Sequence, residues 1–448
     1  MKKVITYGTF DVYHVGHLTL LTRARARGDY LIVGVTTENY DRYRGKMNVH
    51  DSLMQRIRNV QATGLADEII IEEYEGQKID DIQKLGADIF AIGSDWIGKF
   101  DYLNEYCQVV YLERTKGVSS TQIRADQTES LRMGIIGTGR IAGRFLLESK
   151  YVSGIEVDCV YNPRAVSAQA FCQKYELSAW YDELDPFLEA VDAVYVASPH
   201  GTHGEYCRRA LEKGKHVLCE KPMAMDLQTV KELQSIAKEN QAVLLEAVKT
   251  AFCPGFLHLV SLAKSGVIGE IKDVEATFTK LVKAPCRELD PNMDGGSFNE
   301  LASYVLLPVV KLLGSEPMHM QFSAWAPKDV DLFVKGFFQY PKATASVKTG
   351  IGVKSEGELI VSGTKGYLYV PAPWWKTSYF EVRFEDLNLT QKYFYPFDGD
   401  GLRYEINEFL HLISQKGEKE SYKLSGADSL AMAAIFDAFH KKENVTGF

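Results

Sequence analysis

Gly8-Thr9-Phe10-Asp11-Val12-Tyr13-His14-Val15-Gly16-His17 decides how this chain is read. It follows Val4-Ile5-Thr6-Tyr7, a short apolar run that reads as a buried strand. It precedes Leu18 to Arg27, which reads as a helix closed by Gly28. The stretch is therefore a strand-to-helix loop that delivers two histidines to a helix N-terminus. His14 and His17 are three residues apart and share a face once the helix has begun. Free backbone N–H groups and the positive end of the helix dipole suit a phosphate there. Two imidazoles and a glycine fit against a triphosphate without steric conflict.

Outward from this loop, Tyr30 to Val35 reads as a second strand with Thr36-Thr37 at its carboxyl end. Residues 38–50 are polar and hold Arg42, Arg44, Lys46 and His50. Residues 51–63 read as a helix, Glu68 to Ile71 as a strand, Ile79 to Leu85 as a helix and Asp88 to Gly93 as a strand. The alternation predicts a doubly wound parallel sheet. Ligands bind such sheets beyond the carboxyl ends of the strands. The 8–17 loop, Thr36-Thr37, Gly93 to Asp95 and the 114–121 loop are expected to meet there.

The H-x-G-H string resembles the signature of the nucleotidyltransferases, in particular the glycerol-3-phosphate cytidylyltransferase family. The resemblance covers roughly residues 1–125. It includes Arg44-Gly45-Lys46, Gln55-Arg56, Gly93-Ser94-Asp95-Trp96 with Gly98-Lys99-Phe100, and Arg114-Thr115-Lys116-Gly117-Val118-Ser119-Ser120-Thr121. Val118 and Ser119-Ser120 depart mildly from the family's loop. The resemblance implies that His14, His17, Lys46 and Arg114 act on the phosphates of CTP. It implies that Thr9, Phe10, Asp11, Gly16, Asp95, Thr115, Ser119, Ser120 and Thr121 hold the nucleotide, and that Arg44 and Lys78 contact the acceptor phosphate. Asp11 is read as a carboxylate on the metal side, with Mg²⁺ arriving on the nucleotide; no protein metal site is expected. The neighbourhood of Lys78 departs from the family.

The whole chain bounds these readings. Its 448 residues exceed one ordinary core. Apolar content of 46% and charged content of 25% are those of a globular protein. A net charge of −8 argues against a general binder of nucleic acid or of anionic membrane. The start lacks a signal-peptide core, and no apolar run is long enough to span a bilayer, so a cytoplasmic protein without membrane insertion is expected. The seven cysteines are scattered singly, as in a reduced compartment.

A second unit begins near 127–131. Arg132 to Ile136 reads as a fresh strand, and Gly137-Thr138-Gly139-Arg140-Ile141-Ala142 follows. This is G-x-G-x-x-A between a strand and a helix, a dinucleotide fingerprint. Gly137 makes the tight turn, Gly139 lets a pyrophosphate approach, and Ala142 lets helix and strand pack. Arg140 and Ile141 complete the string. The next strand, Glu156 to Tyr161, ends in Asn162-Pro163-Arg164 without the acid that reads a ribose 2′-OH. Asn162 and Arg164 suit a 2′-phosphate, so NADP is favoured over NAD; Arg164 serves equally well as a solvated surface residue. Ser198, Pro199 and His203 follow a further strand, and His216 to Cys219 leads into Glu220-Lys221-Pro222.

The E-K-P string with G-T-G-x-I-A resembles the Gfo/Idh/MocA oxidoreductases, above all the dihydrodiol dehydrogenase-like and glucose–fructose oxidoreductase-like branch. Leu245-Glu246-Ala247, Ile268 to Ile271 and Gly295 to Tyr304 agree, and the resemblance covers about 131–448. It implies that Lys221 sits beside the nicotinamide and the reacting carbonyl, with Glu220, Ser198, Pro199 and His203 lining the cofactor and Tyr304 at the proton-donor position. Glu300 stands where the family has Asp, and Ala302 where it has Gly, which leaves the proton route open. Residues 271–370 are expected to form an open, mostly antiparallel sheet whose free face serves as an oligomer interface. Residues 404–416 and 425–441 read as closing helices. The resulting α/β architecture has three parts: 1–127, 131–250 and 251–448.

Together the resemblances imply a bifunctional enzyme. One half transfers cytidylyl from CTP to glycerol 3-phosphate or a related polyol phosphate; the other reduces a ketose phosphate carbonyl with NAD(P)H. The products would serve capsule or teichoic-acid-type polymers. In the alternative reading only the first half is catalytic, and the second is a nucleotide-binding scaffold or regulator.

Overall fold

Val4, Leu31, Val33, Ile89 and Ala91 fill one face of the first sheet, and Ile5, Ile32, Phe90 and Ile92 the other. Burial on both faces is what continuous apolar strands of a parallel sheet require. The computed structural model describes residues 1–448 apart from 47, 48, 75, 114–129, 416 and 418, and of Lys328 only the backbone. The chain packs as two units: Met1–Leu131 with Ser149–Asp158 and Cys172–Trp180, and Arg132–Glu148 with Cys159–Phe171 and Tyr181–Phe448.

The first sheet holds β1 (Lys3–Gly8), β2 (Tyr30–Thr36), β3 (Glu68–Glu72), β4 (Ile89–Gly93) and β5 (Gln108–Leu112), all parallel, in the order β3-β2-β1-β4-β5. The order reverses between β1 and β4, so a crevice opens beyond the carboxyl end of β1, where the two-histidine loop begins. The following helix, Val15–Arg25, starts before the expected Leu18 because the His14 ring caps it. A helix and a strand of this part escape the sequence reading. Glu38–Tyr43 forms a short helix capped by Thr37 inside the stretch read only as polar. Gln108–Leu112 closes the sheet. The helix end expected at 121–131 lies largely outside the described residues.

The second sheet comprises β6 (Leu131–Ile136), β7 (Ile155–Tyr161), β8 (Ala179–Tyr181), β9 (Ala193–Val196), β10 (His216–Glu220) and β11 (Leu244–Ala247), in the order β11-β10-β9-β6-β7-β8. Gly137, at the exit of β6, has φ +108, and a Cβ there would meet the Ala197 carbonyl oxygen at 2.5 Å, so only glycine makes this turn.

The third sheet has nine strands: β12 (Ile271–Thr279), β13 (His319–Trp325), β14 (Phe333–Gln339), β15 (Thr344–Gly350), β16 (Leu359–Gly363), β17 (Tyr367–Val370), β18 (Tyr379–Arg383), β19 (Gln391–Phe394) and β20 (Val445–Gly447). The β12–β15 and β13–β20 pairs are parallel and the others antiparallel, so the sheet is mostly antiparallel as expected. The helix Ser297–Leu313 packs on it and buries Phe298, Leu301, Val305 and Leu306. The closing helices run over Leu402–Ser414 and Gly426–His440. Among the described residues no helix is long and apolar enough to cross a membrane.

Candidate functional site

The loop beyond β1 is held under strain. Phe10 and Val12 have φ +54 and +42, the latter an unusual conformation for a β-branched residue. Asp11 and Asp51 hold it in place: the Asp11 carboxylate accepts the His50 and Asp51 N–H groups, and Asp51 accepts the Val12 N–H. Phe10 is buried against the His17 ring.

At the helix start the His14 Nδ1 accepts the Gly16 N–H at 3.0 Å, and the His17 Nδ1 accepts the His14 N–H at 3.4 Å. A ring nitrogen that accepts carries no proton, so in each ring Nε2 is the nitrogen left to donate. The rings stack with centroids 3.9 Å apart. A Cβ on Gly16 would press on the His14 ring at 2.8 Å, so the glycine of the motif makes room for this cap. Burial, and then the charges of His14 and Lys46, push the His17 pKa well below its usual value. His17 is therefore a neutral N–H donor at pH 7. Burial also lowers the pKa of Lys46.

Beside this pair lies a buried network that the sequence did not reveal. Asp41 accepts hydrogen bonds from Thr36 and Thr9 Oγ1, Arg44 Nη2 at 2.5 Å and Arg56 Nη1 at 3.2 Å. Arg56, fully buried, also donates to the Thr9 and Thr36 carbonyls. Asp41 thereby fixes the guanidinium of Arg44, which also reaches Thr9 Oγ1. Its only sequence signal was membership in the polar 38–50 stretch. Lys78 is buried, paired with Glu72 and lying 4.6 Å over the Tyr7 ring; burial lowers its pKa, and Arg44 lowers it further against the pull of Glu72. Asp95 sits on a 3₁₀ turn directly after β4. Arg114, Thr115, Ser119, Ser120 and Thr121 lie outside the described residues.

Among the described residues no cluster of three or more His, Cys, Asp or Glu side chains is arranged to hold a metal ion. The Asp11 carboxylate oxygens accept backbone N–H groups and anchor the loop.

In the second unit, a Cβ on Gly139 would meet nothing within 4 Å among the described residues, and the helix Arg140–Ser149 begins immediately after it. Ala142 is fully buried. An open backbone at a helix N-terminus fits a dinucleotide pyrophosphate. At the end of β7 the Asn162 amide donates to Thr138 Oγ1 at 2.9 Å and its oxygen accepts the Arg164 N–H. Asn162 thus shapes the turn, and the exposed Arg164 is left as the group that can read a 2′-phosphate. Ser198 Oγ accepts from Thr202, and the His203 ring is buried between the Ser198 and Pro222 carbonyls. His203 ties the cofactor turn to the residue after Lys221, an indirect role compared with the one read from the sequence.

Lys221 Nζ donates to the Glu300 carbonyl oxygen at 3.0 Å and stands 5.7 Å from the Tyr304 ring centroid. Phe278 and Trp375, stacked at 3.6 Å, wall the Tyr304 side. Burial, with the nearby carboxyls of Glu220 and Glu405, pushes the Tyr304 pKa well above its usual value. Tyr304 therefore keeps its proton. Burial raises the pKa of Glu220, whose Oε1 accepts the Tyr195 hydroxyl at 2.5 Å. A cation beside a carbonyl site and a protonated phenol can stabilise and protonate a developing alkoxide.

Residues 5–126 match the cytidylyltransferase-like family, 131–248 the oxidoreductase family with the NAD-binding Rossmann fold, and 256–369 the GFO/IDH/MocA C-terminal domain. Glycerol-3-phosphate cytidylyltransferase of Bacillus spizizenii is 52% identical over 126 residues, 28% of this chain and 97% of that protein. Trans-1,2-dihydrobenzene-1,2-diol dehydrogenase of Danio rerio is 28% identical over 330 residues, 70% of this chain and 98% of that protein. The chain belongs to both families: it joins a cytidylyltransferase to a Gfo/Idh/MocA oxidoreductase. It is an enzyme with a nucleotidyltransferase part and an NAD(P)-dependent oxidoreductase part. The oxidoreductase fold is shared with a 3-ketoreductase from Actinomadura kijaniata, solved with NADP and TDP-benzene, at TM-score 0.64 and 23% identity over 71% of this chain and all of that one.

In the cytidylyltransferase part the fold brings His14, His17, Gly16, Thr9 and Arg44 to the carboxyl ends of β1 and β2. In the oxidoreductase part it brings Lys221 and Tyr304 together although 83 residues separate them, and sets Glu300 between Lys221 and an arginine, Arg287, that the sequence did not single out.

Proposed function

We propose that the chain catalyses two consecutive steps on one metabolite. A ketose phosphate is reduced to a polyol phosphate, which then reacts with CTP to give a CDP-polyol and pyrophosphate. The observation that carries this reading is the covalent joining of a two-histidine phosphate site to a carbonyl site built on Lys221 and Tyr304. Linking raises the effective concentration of each site near the other and gains most when one product is the next substrate.

In the first step Lys221 polarises the carbonyl and stabilises the forming alkoxide, and Tyr304 gives its phenolic proton to that oxygen. NAD(P)H, when bound, supplies the hydride to the carbonyl carbon. The relative named scyllo-inositol 2-dehydrogenase (NADP(+)) from Bacillus subtilis, 28% identical over 345 residues, supports a polyol-type substrate and NADP in preference to NAD. In the second step a phosphate oxygen of the acceptor attacks the α-phosphorus of CTP. The bond from that phosphorus to the bridging oxygen breaks, and pyrophosphate leaves with the electron pair. No protein nucleophile is needed. His14 and His17 donate from Nε2, and Lys46 and Arg114 add charge against the triphosphate. Arg44, fixed by Asp41, and Lys78 receive the acceptor phosphate. The relatives' names support glycerol 3-phosphate or a close analogue as acceptor. CDP-polyols of this kind serve cell-surface polymers, and the enzyme works in the cytoplasm as a homo-oligomer joined through the open sheet.

The test is a panel of ketose phosphates incubated with the full chain, NADPH, CTP and Mg²⁺, with CDP-polyol read by mass spectrometry. Lys221→Ala should abolish the product from the ketose phosphate and retain it from added polyol phosphate. Equal loss by both routes, or no reduction of any ketose phosphate, overturns the consecutive-step reading and favours a scaffold role for the second half.

A further inference from the structure

Glu300 is the departure from the family string that the reaction above leaves unused. Its carboxylate lies among basic groups. Oε1 accepts from Arg287 Nη2 at 2.5 Å, and His200 Nε2 lies 3.8 Å away. The carbonyl of the same residue accepts from Lys221. Lys221 and Arg287 are therefore anchored on one glutamate, one side-chain length apart. Burial, and then the charges of Lys221, His203 and Arg287, hold the His200 pKa well below its usual value. Lys280 Nζ lies 3.5 Å from Glu288, whose carboxyl Arg287 also influences.

Arg287 pairs with Glu300, and Lys280 with Glu288. Lys280 and Arg287 each keep about a third of the side chain exposed, while Glu300 is buried. Arg287 uses one arm of its fork on Glu300, and its buried Nη1 has no hydrogen-bond partner among the described residues. A half-used guanidinium fixed by a buried carboxylate, with a lysine on the neighbouring Glu288, matches a tetrahedral oxyanion.

We propose that Arg287 and Lys280 form an anion subsite that takes the phosphate of the carbonyl substrate, next to Lys221, with Glu300 as the positioning residue for Arg287. The subsite rests on the reading of the second half as a working reductase of phosphorylated carbonyl compounds. One other source offers the same chemistry: the cofactor diphosphate, because Arg140 at the glycine loop lies 3.9 Å from Glu288.

The experiment uses the full chain with NADPH bound and follows the cofactor's fluorescence, which reports only the reductase site. Titrated inorganic phosphate should change that signal saturably in wild type. Arg287→Gln should weaken phosphate by roughly tenfold or more, and Lys280→Gln by a few-fold, as expected for lost charged hydrogen bonds. Arg287→Lys should recover part of the affinity, which separates charge from misfolding. The NADPH dissociation constant should stay within about twofold in all three. In turnover, the preference for dihydroxyacetone phosphate over dihydroxyacetone in kcat/KM should collapse in Arg287→Gln. An identical phosphate response in wild type and both glutamine variants overturns the subsite. Parallel loss of NADPH affinity also overturns it and assigns the cluster to the cofactor diphosphate. If ketose phosphates are reduced with unchanged KM by Arg287→Gln, the reductase reading stands and the subsite falls. If none is reduced but the phosphate response depends on Arg287, the subsite stands and the reductase reading falls.

Discussion

Arg403 holds Glu148 with two hydrogen bonds, Nε to Oε2 at 3.0 Å and Nη2 to Oε1 at 2.9 Å, although 255 residues separate them. Both side chains are buried. The pair fastens the closing helix Leu402–Ser414 to the helix that follows the glycine loop. Arg403→Ala leaves a buried carboxylate without its partner and should cost about 3–5 kcal/mol in urea unfolding of the second unit. Replacing both residues with methionine should recover most of that loss. A loss under about 1 kcal/mol for Arg403→Ala would show that water replaces the pair.

His17→Ala should lower pyrophosphate release from CTP by about two orders of magnitude or more, the usual scale for removing a preorganised donor to a charged transition state. NADPH oxidation should persist, since Lys221 and Tyr304 belong to the other unit. Because burial already holds His17 neutral, the activity should not fall as pH rises from 6 to 8 on its account. Near-normal pyrophosphate release by the variant would remove His17 from the reaction.

Asp331 carries the N-terminus of the helix that presents Glu300 and Tyr304. Its Oδ2 accepts from the Phe298 N–H and the Ser297 hydroxyl, each at 2.8 Å. Burial nonetheless raises its pKa to about 6. Folding therefore takes up a proton between the usual carboxylate range and about pH 6, and stability from this group falls as pH rises through that window. Asp331→Asn should remove that slope in melting curves. Asp331→Ala should cost about 1–2 kcal/mol as a lost cap and should reduce the reductase more than the transferase.

Both carboxyl oxygens of Glu405 are buried with no hydrogen-bond partner among the described residues, and burial with Glu220 pushes its pKa well above the carboxylate range. The unfolded chain releases this proton near its ordinary pKa while the folded chain keeps it, so stability falls as pH rises above that value. Glu405→Gln should melt higher than wild type at pH 8, with a smaller gain at pH 5. Equal shifts at both values would mean that the carboxyl is not held protonated.

NADPH should bind more tightly than NADH, with Arg164 as the discriminating residue because Asn162 is occupied by Thr138 and the turn. Arg164→Ala should narrow the difference by roughly tenfold, the scale of one charged hydrogen bond to phosphate. Fluorescence titration of both cofactors reads this directly. An unchanged ratio places the 2′-phosphate elsewhere.

The sequence by itself determined the two α/β units, the histidine loop, the glycine turn and most strands, because each is written in a short window. Apolar runs, glycine spacing and caps act over a few residues and need no distant partner. The short helix at Glu38 carries no apolar period and escapes the sequence reading; the strand at Gln108 escapes it although Val109 to Leu112 is an apolar run. Only the tertiary structure decided which polar groups are used up inside the protein. Asp11 anchors backbone, Asn162 shapes a turn, Asp41 holds Arg44 and Glu300 holds Arg287. Whether a carboxylate is a ligand or a brace depends on which donors the packing brings within 3 Å of it, and desolvation then settles its charge. Neither quantity is local in the chain, so pairs such as Lys221 with Glu300 or Arg403 with Glu148 exist only once the sheets and helices have closed around them.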